Sequence, residues 1–270
     1  GEIILLDGDC HASIYDGCRM AAAEVHRFRH NDAQDLEKRL RRLEKRNTNI
    51  LVVVEGLYSM LGDRAPLADI VSVKNKYGAY LLVDEAHSLG VLGANGRGLA
   101  EETEVEDGVD FVVGTFSKSL GAIGGFCVSN HPELNLVRYA SRPYVFTASS
   151  SPSVIASTRM ALKILRKRPE LRRRLWNNAN ILYKKLQDLG FSMGPEPSPI
   201  VAVRLEDKAE AFTLWNGLLE HGVYVNLMLP PATPDGSCLL RSSVSAGHTP
   251  QQMERICEAF TAVRQLTAAA

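Results

Sequence analysis

The chain has no net charge. Its 31 Lys and Arg residues balance 31 Asp and Glu residues over 270 positions. No domain-wide basic field exists to attract nucleic acid. The most basic stretch, from Leu165 to Leu175 with Arg166, Lys167, Arg168 and Arg172 to Arg174, reads as the solvated face of a helix. Cysteine is scarce and odd in number: Cys10, Cys18, Cys127, Cys238 and Cys257. No two of them have C-x-x-C spacing, which argues against a disulfide framework or zinc site and fits a reducing cytosol, so the expected location is cytoplasmic. Apolar runs are short. None approaches the ~20 residues of a membrane span, so no span is expected, while peripheral contact with a membrane stays open. No signal peptide is recognisable. The chain also lacks an initial Met and passes from Gly1 almost at once into Ile3-Ile4-Leu5-Leu6, so upstream residues are expected to be missing. There is no internal repeat and no low-complexity tract.

What is present is a globular composition, 45% hydrophobic and 23% charged, with strand and helix patterns alternating from residue 1 to about 130. Ile50 to Val54 and Ala79 to Val83 are apolar runs of the kind buried in a parallel sheet. Ile3 to Leu6, Ala23 to Phe28, Phe111 to Gly114 and Gly125 to Val128 complete the set of strands. Ser13 is placed to cap a helix through Ala22, Asn31 or Asp32 to cap one from Ala33, and Pro66 to open one reaching Tyr77. This is the pattern of an open, largely parallel α/β sheet. From Ser151 the character changes. A helical stretch to about Leu189, with a possible break at Pro169, precedes strands at Ile200 to Arg204, Val223 to Asn226 and Cys238 to Ser242. Helices at Lys208 to His221 and Pro250 to Leu266 complete a smaller α+β unit. The expected division is 1–150, a large domain, and 151–270, a connecting helix with the C-terminal α+β domain.

Polar residues collect where strands end: Asp9-Cys10-His11, Glu55 to Ser59, Asp84 to His87, and Thr115 to Lys118. In open α/β sheets ligands bind outside the carboxyl ends of the strands, so four clusters point to one site. Thr115 and Ser117 offer hydroxyls to a phosphate. Lys118, in a partly desolvated pocket, could form a Schiff base. Asp84 could hold a protonated ring nitrogen, His87 could bond a second group on that ring, and His11 could stack on it. Taken singly, each has a bland reading: a loop lysine, a helix cap, a surface histidine, helix-start polarity. Together they match the needs of pyridoxal 5'-phosphate, whose pyridinium nitrogen wants an anionic partner. Asp-x-x-His also occurs among metal ligands, but no third ligand falls at a recognisable spacing.

Five segments, His11-Ala-Ser13, Glu55-Gly-Leu-Tyr-Ser-Met-Leu-Gly-Asp63, Asp84-Glu-Ala-His-Ser-Leu-Gly90, Gly114-Thr-Phe-Ser-Lys-Ser-Leu-Gly121 and Pro230-Pro-Ala-Thr-Pro234, resemble the α-oxoamine synthases in order and spacing. The resemblance implies a pyridoxal-phosphate enzyme of the aspartate-aminotransferase fold (fold type I) that condenses an amino acid with an acyl-CoA. It implies Lys118 as covalent anchor and Cα base, Asp84 at the ring nitrogen, and His87 with Ser59 at the ring hydroxyl. Thr115 and Ser117 would take the phosphate, and His11 the ring face and substrate carboxylate. Thr147 would reach the phosphate of a neighbouring subunit, implying a homodimer with shared active sites, and Arg241 would hold a substrate carboxylate. Cys10 to Gly17, Arg27 to Asn31 and the Pro-Pro loop look most like members that join serine to palmitoyl-CoA. Members joining alanine to a pimeloyl thioester, or glycine to acetyl-CoA, share the same named residues. A non-catalytic partner subunit tends to lack the lysine, and a transaminating member does not suit His11-Ala-Ser or the Pro-Pro loop. The chain departs from the family pattern at Leu229, where related sequences usually have arginine. It also lacks the family's N-terminal portion, which holds part of the dimer interface and a phosphate turn. If 270 residues were the whole length, weak cofactor binding would be expected.

Overall fold

The structure is a computed structural model that describes residues 2–233 and 235–268, with side chains to residue 265. Pro234, the last residue of the Pro-Pro-Ala-Thr-Pro segment, lies outside the described residues. The chain separates into two compact units, residues 1–58 with 64–168, and residues 59–63 with 169–270.

The first unit is built on a six-stranded sheet. In chain order its strands are β1 (Ile3–Asp7), β2 (Glu24–Phe28), β3 (Ile50–Glu55), β4 (Tyr80–Asp84), β5 (Phe111–Thr115) and β6 (Gly125–Val128). The spatial order is β2-β1-β3-β4-β5-β6. The first five strands run parallel, and β6 joins antiparallel at the edge. The centre is apolar on both faces: Val52, Val53 and Val54 of β3 and Leu81 and Val83 of β4 are buried. β-Branched residues suit this pleated, doubly covered position. Helices α1 (Ala12–Met20), α2 (Ala33–Leu43) and α3 (Leu67–Lys76) connect the strands, and Leu36, Leu40, Leu67 and Ile70 are buried. Asp32 caps α2 by accepting the Asp35 N–H at 2.8 Å. At α1 the cap is His11 rather than Ser13: its Nδ1 accepts the Ser13 N–H at 3.2 Å. Histidine is an unusual cap, which is why the hydroxyl two residues on is the residue the pattern favours.

Further along this unit come α4 (Leu99–Glu102), α5 (Leu134–Ala140), α6 (Arg142–Val145) and α7 (Pro152–Lys167). Ser151 caps α7, with Pro152 at its first position. Glu85, fully buried, ties the loop before α4 to the end of β4. Its carboxylate accepts the Leu99 and Ala100 N–H groups, each at 3.0 Å, and the Ser88 hydroxyl. A Cβ at Gly98, where φ is +119°, would lie 2.4 Å from that carboxyl carbon. This close approach and the left-handed backbone both demand glycine.

The second unit has a four-stranded antiparallel sheet in the order β7 (Ser192–Met193), β8 (Ile200–Leu205), β10 (Cys238–Ser243), β9 (Asn226–Met228). Helices α8 (Pro169–Asp188), α9 (Lys208–Glu220) and α10 (Pro250–Ala268) supply Leu182, Leu186, Leu214, Leu218 and Phe260 to one core with Val201, Val203 and Leu240. The helical stretch divides at Arg168 and resumes at Pro169, as proline requires. The expected strand at Val223 to Asn226 is displaced: β9 begins at Asn226. Val223 and Val225 instead bury their side chains in the turn after Gly222, and Trp215 Nε1 donates to the Val225 carbonyl at 2.9 Å. Apolar alternation alone does not distinguish this buried connection from a strand. Leu229, the departure from the family pattern, packs against the same core.

Candidate active site

Parallel strands β3, β4 and β5 end side by side, so residues far apart in sequence face one cavity. Glu55 pairs in register with Asp84, and Asp84 with Val113. The ladder continues past the strand ends, where the Gly56 N–H donates to the Asp84 carbonyl and the Glu85 N–H to the Val113 carbonyl, both at 2.8 Å. The cavity, about 400 Å³, is lined by His11, Ser13, Glu55, Asp84, His87, Thr115, Ser117 and Lys118, with Gly114 and Gly125 among the rest. This size falls within the range of small-molecule pockets.

Six of the expected site residues thus share one cavity: His11, Asp84, His87, Thr115, Ser117 and Lys118. Three do not line it. Thr147 is exposed between α6 and α7. Ser59 and Arg241 belong to the second unit, where Arg241 Nε donates to the Ser59 carbonyl at 2.6 Å and Nη1 to Ser243 Oγ at 3.0 Å. Lys118 also departs from expectation in being solvent-exposed rather than partly desolvated. Its turn projects beyond β5, which is only half buried.

Glu55 and Ser13 are polar cavity residues to which the sequence reading gave no individual role. The Glu55 carboxyl accepts the His11 N–H, and its Oε2 lies 3.9 Å from His87 Nδ1. Burial and the neighbouring Asp84 charge push its pKa up to about 8. Burial also raises Asp84, opposed by the Ala86 N–H at 2.8 Å and by the charge of Lys118. His11 Nδ1 accepts from the Ser13 N–H and lies 2.8 Å from Ser13 Oγ. An Nδ1 that accepts leaves the ring proton on Nε2 in the neutral tautomer. Thr115 Oγ1 and Ser117 Oγ are 2.8 Å apart, and Thr115 Oγ1 accepts the Ser117 N–H at 3.2 Å. This makes a compact pair of hydroxyls at the end of β5. At the edge of the sheet β5 and β6 are pressed together: a Cβ on Gly125 would lie 2.9 Å from the Gly114 carbonyl oxygen.

The donor set fits pyridoxal phosphate. A strand-end carboxylate, an amine, two imidazoles and a converging hydroxyl pair surround one cavity of suitable size. Each matches one functional group of that molecule.

Residues 1–260 match the aminotransferase class I and II family. The chain belongs to that family. A serine palmitoyltransferase of Caulobacter vibrioides is 59% identical over 260 residues, covering 96% of this chain and 64% of the relative. One of Sphingomonas paucimobilis is 54% identical over 264 residues, covering 97% of this chain and 63% of the relative. The chain therefore spans less than two thirds of the length of these two relatives. A solved structure of serine palmitoyltransferase with pyridoxal phosphate as the internal aldimine is 52% identical, with a TM-score of 0.96 over 100% of this chain and 68% of that one. This family member thus has fold type I, with a largely parallel α/β sheet in its first unit and an α+β second unit.

Proposed function

We propose that the protein is a pyridoxal-phosphate-dependent acyltransferase. It condenses L-serine with palmitoyl-CoA, releasing CoA and CO₂ and giving 3-oxosphinganine. The observation that carries this reading is the gathering of His11, Asp84, His87, Thr115, Ser117 and Lys118 on one cavity. The substrates rest on the 59% and 54% identity to the two bacterial serine palmitoyltransferases.

Bound pyridoxal phosphate would supply an electron sink for the carbanion formed when the amino acid loses its Cα proton. The residues divide the remaining work. Lys118 Nζ would be the covalent anchor and the base that takes the Cα proton. Asp84 keeps the ring nitrogen protonated. His87 bonds the ring hydroxyl, a task also expected of Ser59. The Thr115 and Ser117 hydroxyls donate to phosphate. His11 covers the ring face, its Nε2–H free to donate to the substrate carboxylate, and Arg241 is the second candidate for that group.

A homodimer with shared sites is part of this proposal, with Thr147 reaching the partner's phosphate. Its support is the apolar surface exposed between β6 and α7, where Tyr139 is 83% and Phe146 78% exposed. Isolated exposed apolar residues are ordinary, but a run of aromatic ones marks an interaction surface. Among the described residues no helix is long and apolar enough to cross a membrane.

The test is a substrate panel read as CoA and CO₂ release: serine with palmitoyl-CoA, alanine with a pimeloyl thioester, glycine with acetyl-CoA. Serine with palmitoyl-CoA is expected to be turned over fastest. A response to alanine without serine would reassign the chain to 8-amino-7-oxononanoate synthesis, the activity named for a relative 38% identical.

A further inference from the structure

Glu55 is one of the most deeply buried charged side chains of the first unit, only 2% exposed, yet it opens onto the cavity. It ends an otherwise apolar strand, Ile50-Leu-Val-Val-Val54. Its register partner is Asp84. Neighbouring residues in register on parallel strands project to the same face, so two carboxyl groups meet at one end of the sheet. Two carboxyls in a shared, poorly hydrated site do not both ionise near neutrality.

The surroundings decide which one holds the proton. Asp84 is only half buried, accepts the Ala86 N–H at 2.8 Å, and feels the charge of Lys118. The N–H and the lysine favour its ionised form, against a burial less complete than that of Glu55. Glu55 has the His11 N–H and the more weakly felt Lys118 in its favour, and against it are near-complete burial, Asp84 and the more distant Asp7 on β1. Among the other groups facing it, Cys10 and Tyr58 are themselves buried and held neutral, and the Tyr58 hydroxyl is 3.4 Å from the Glu55 N–H. His87 Nδ1 lies 3.9 Å away, beyond hydrogen-bond range, and favours the anion only when its ring is charged.

We propose that Glu55 is a positioning residue of this site: its carboxyl pins the His11 backbone at the mouth of the cavity and holds the proton that leaves Asp84 as the charged carboxylate. The inference rests on the cofactor reading only for what His11 and Asp84 go on to do. The backbone anchor and the shared proton are properties of the chain itself.

The test uses the full chain without added cofactor, as wild type, Glu55→Gln, Glu55→Ala and Asp84→Asn. Infrared difference spectroscopy reads protonated carboxyl groups. The wild type is expected to show a buried carboxylic acid band at pH 7 that titrates away near pH 8, following the position of Glu55. The band is absent in Glu55→Gln and moves to lower pH in Asp84→Asn. Amide hydrogen exchange at His11 reads the anchor. Protection is kept in Glu55→Gln, whose amide oxygen still accepts, and falls about tenfold in Glu55→Ala, the loss of one hydrogen bond to a buried group. A wild type with no such band, or a band that persists in Glu55→Gln, overturns the proton assignment. Equal His11 protection in all variants overturns the anchor. Pyridoxal phosphate titration of the same proteins then tests the cofactor reading separately: Glu55→Ala should bind about tenfold more weakly than Glu55→Gln. Failure of every variant to bind it would sink that reading while leaving the two chain-level results to stand.

Discussion

Glu55 and Asp84 end adjacent parallel strands in register, and burial raises both carboxyl groups. This relationship has a consequence for stability. A carboxyl whose folded pKa is about 8, against an ordinary 4.5, keeps its proton on folding across that window while the unfolded chain releases it. Folding is therefore favoured below the window and progressively less as pH rises through it. Glu55→Gln has no ionisation to resist. The melting temperature of the variant minus that of the wild type is expected to grow between pH 5 and pH 8 and then level off. A difference that stays flat over that range would show that Glu55 ionises normally.

Much of this was legible because parallel sheets write themselves plainly. Ile50 to Val54 and Ala79 to Val83 have no other comfortable place, and their polar ends had to meet at one edge. Glu55 was harder to read, because a glutamate after an apolar run looks like the residue that ends a strand. Its hydrogen-bond partner His11 is 44 positions away, a distance no local pattern encodes. His11 was legible as polar but not as a helix cap, since its capping atom is a ring nitrogen. Arg241 was expected at a substrate carboxylate through the family resemblance alone, and its contact with Ser59 across 182 positions has no local signature. Val223 and Val225 show the converse limit: they carry a strand's alternation in a turn, because burial and not pairing placed them.

Glu85 differs from its neighbour Asp84 in being structural. Both of its oxygens accept backbone N–H groups at the start of α4, so neither can be spared. Glu85→Gln turns one acceptor into an NH₂ facing an N–H, and about 1–3 kcal/mol of stability should be lost. Gly98→Ala should destabilise as well, through its positive φ and the clash with the same carboxyl. Calorimetric melts of both variants check this. A Glu85→Gln melt that superimposes on the wild type would mean that the loop does not depend on the carboxylate.

Lys118 and the hydroxyl pair are expected to make separable contributions to cofactor retention. After borohydride reduction, mass spectrometry should find pyridoxyl phosphate on the peptide containing Lys118, and none in Lys118→Ala. Thr115→Ala removes one member of the pair joined at 2.8 Å. It should weaken pyridoxal phosphate binding about tenfold or more, as expected for a hydrogen bond to a charged group, with Thr115→Ser restoring most of it. Modification at a different lysine would move the anchor elsewhere.

Arg241 has a structural task that can be distinguished from a substrate task. Its Nε donates to the backbone carbonyl of Ser59, tying segment 59–63 to β10 within the second unit. The bond uses no side-chain atom of Ser59. Ser59→Ala should therefore leave stability within about 0.5 kcal/mol of wild type, while Arg241→Ala removes a charged donor from a half-buried carbonyl and should lose about 1–3 kcal/mol. Arg241→Lys keeps a charge but not the fork, so it should recover only part of that loss. Denaturant titrations of the three variants give the stability term, and the KM for serine gives the other. If Arg241 also holds the substrate carboxylate, Arg241→Lys raises KM out of proportion to its small stability loss. If KM follows stability across the series, the side chain serves the fold alone and the carboxylate falls to His11.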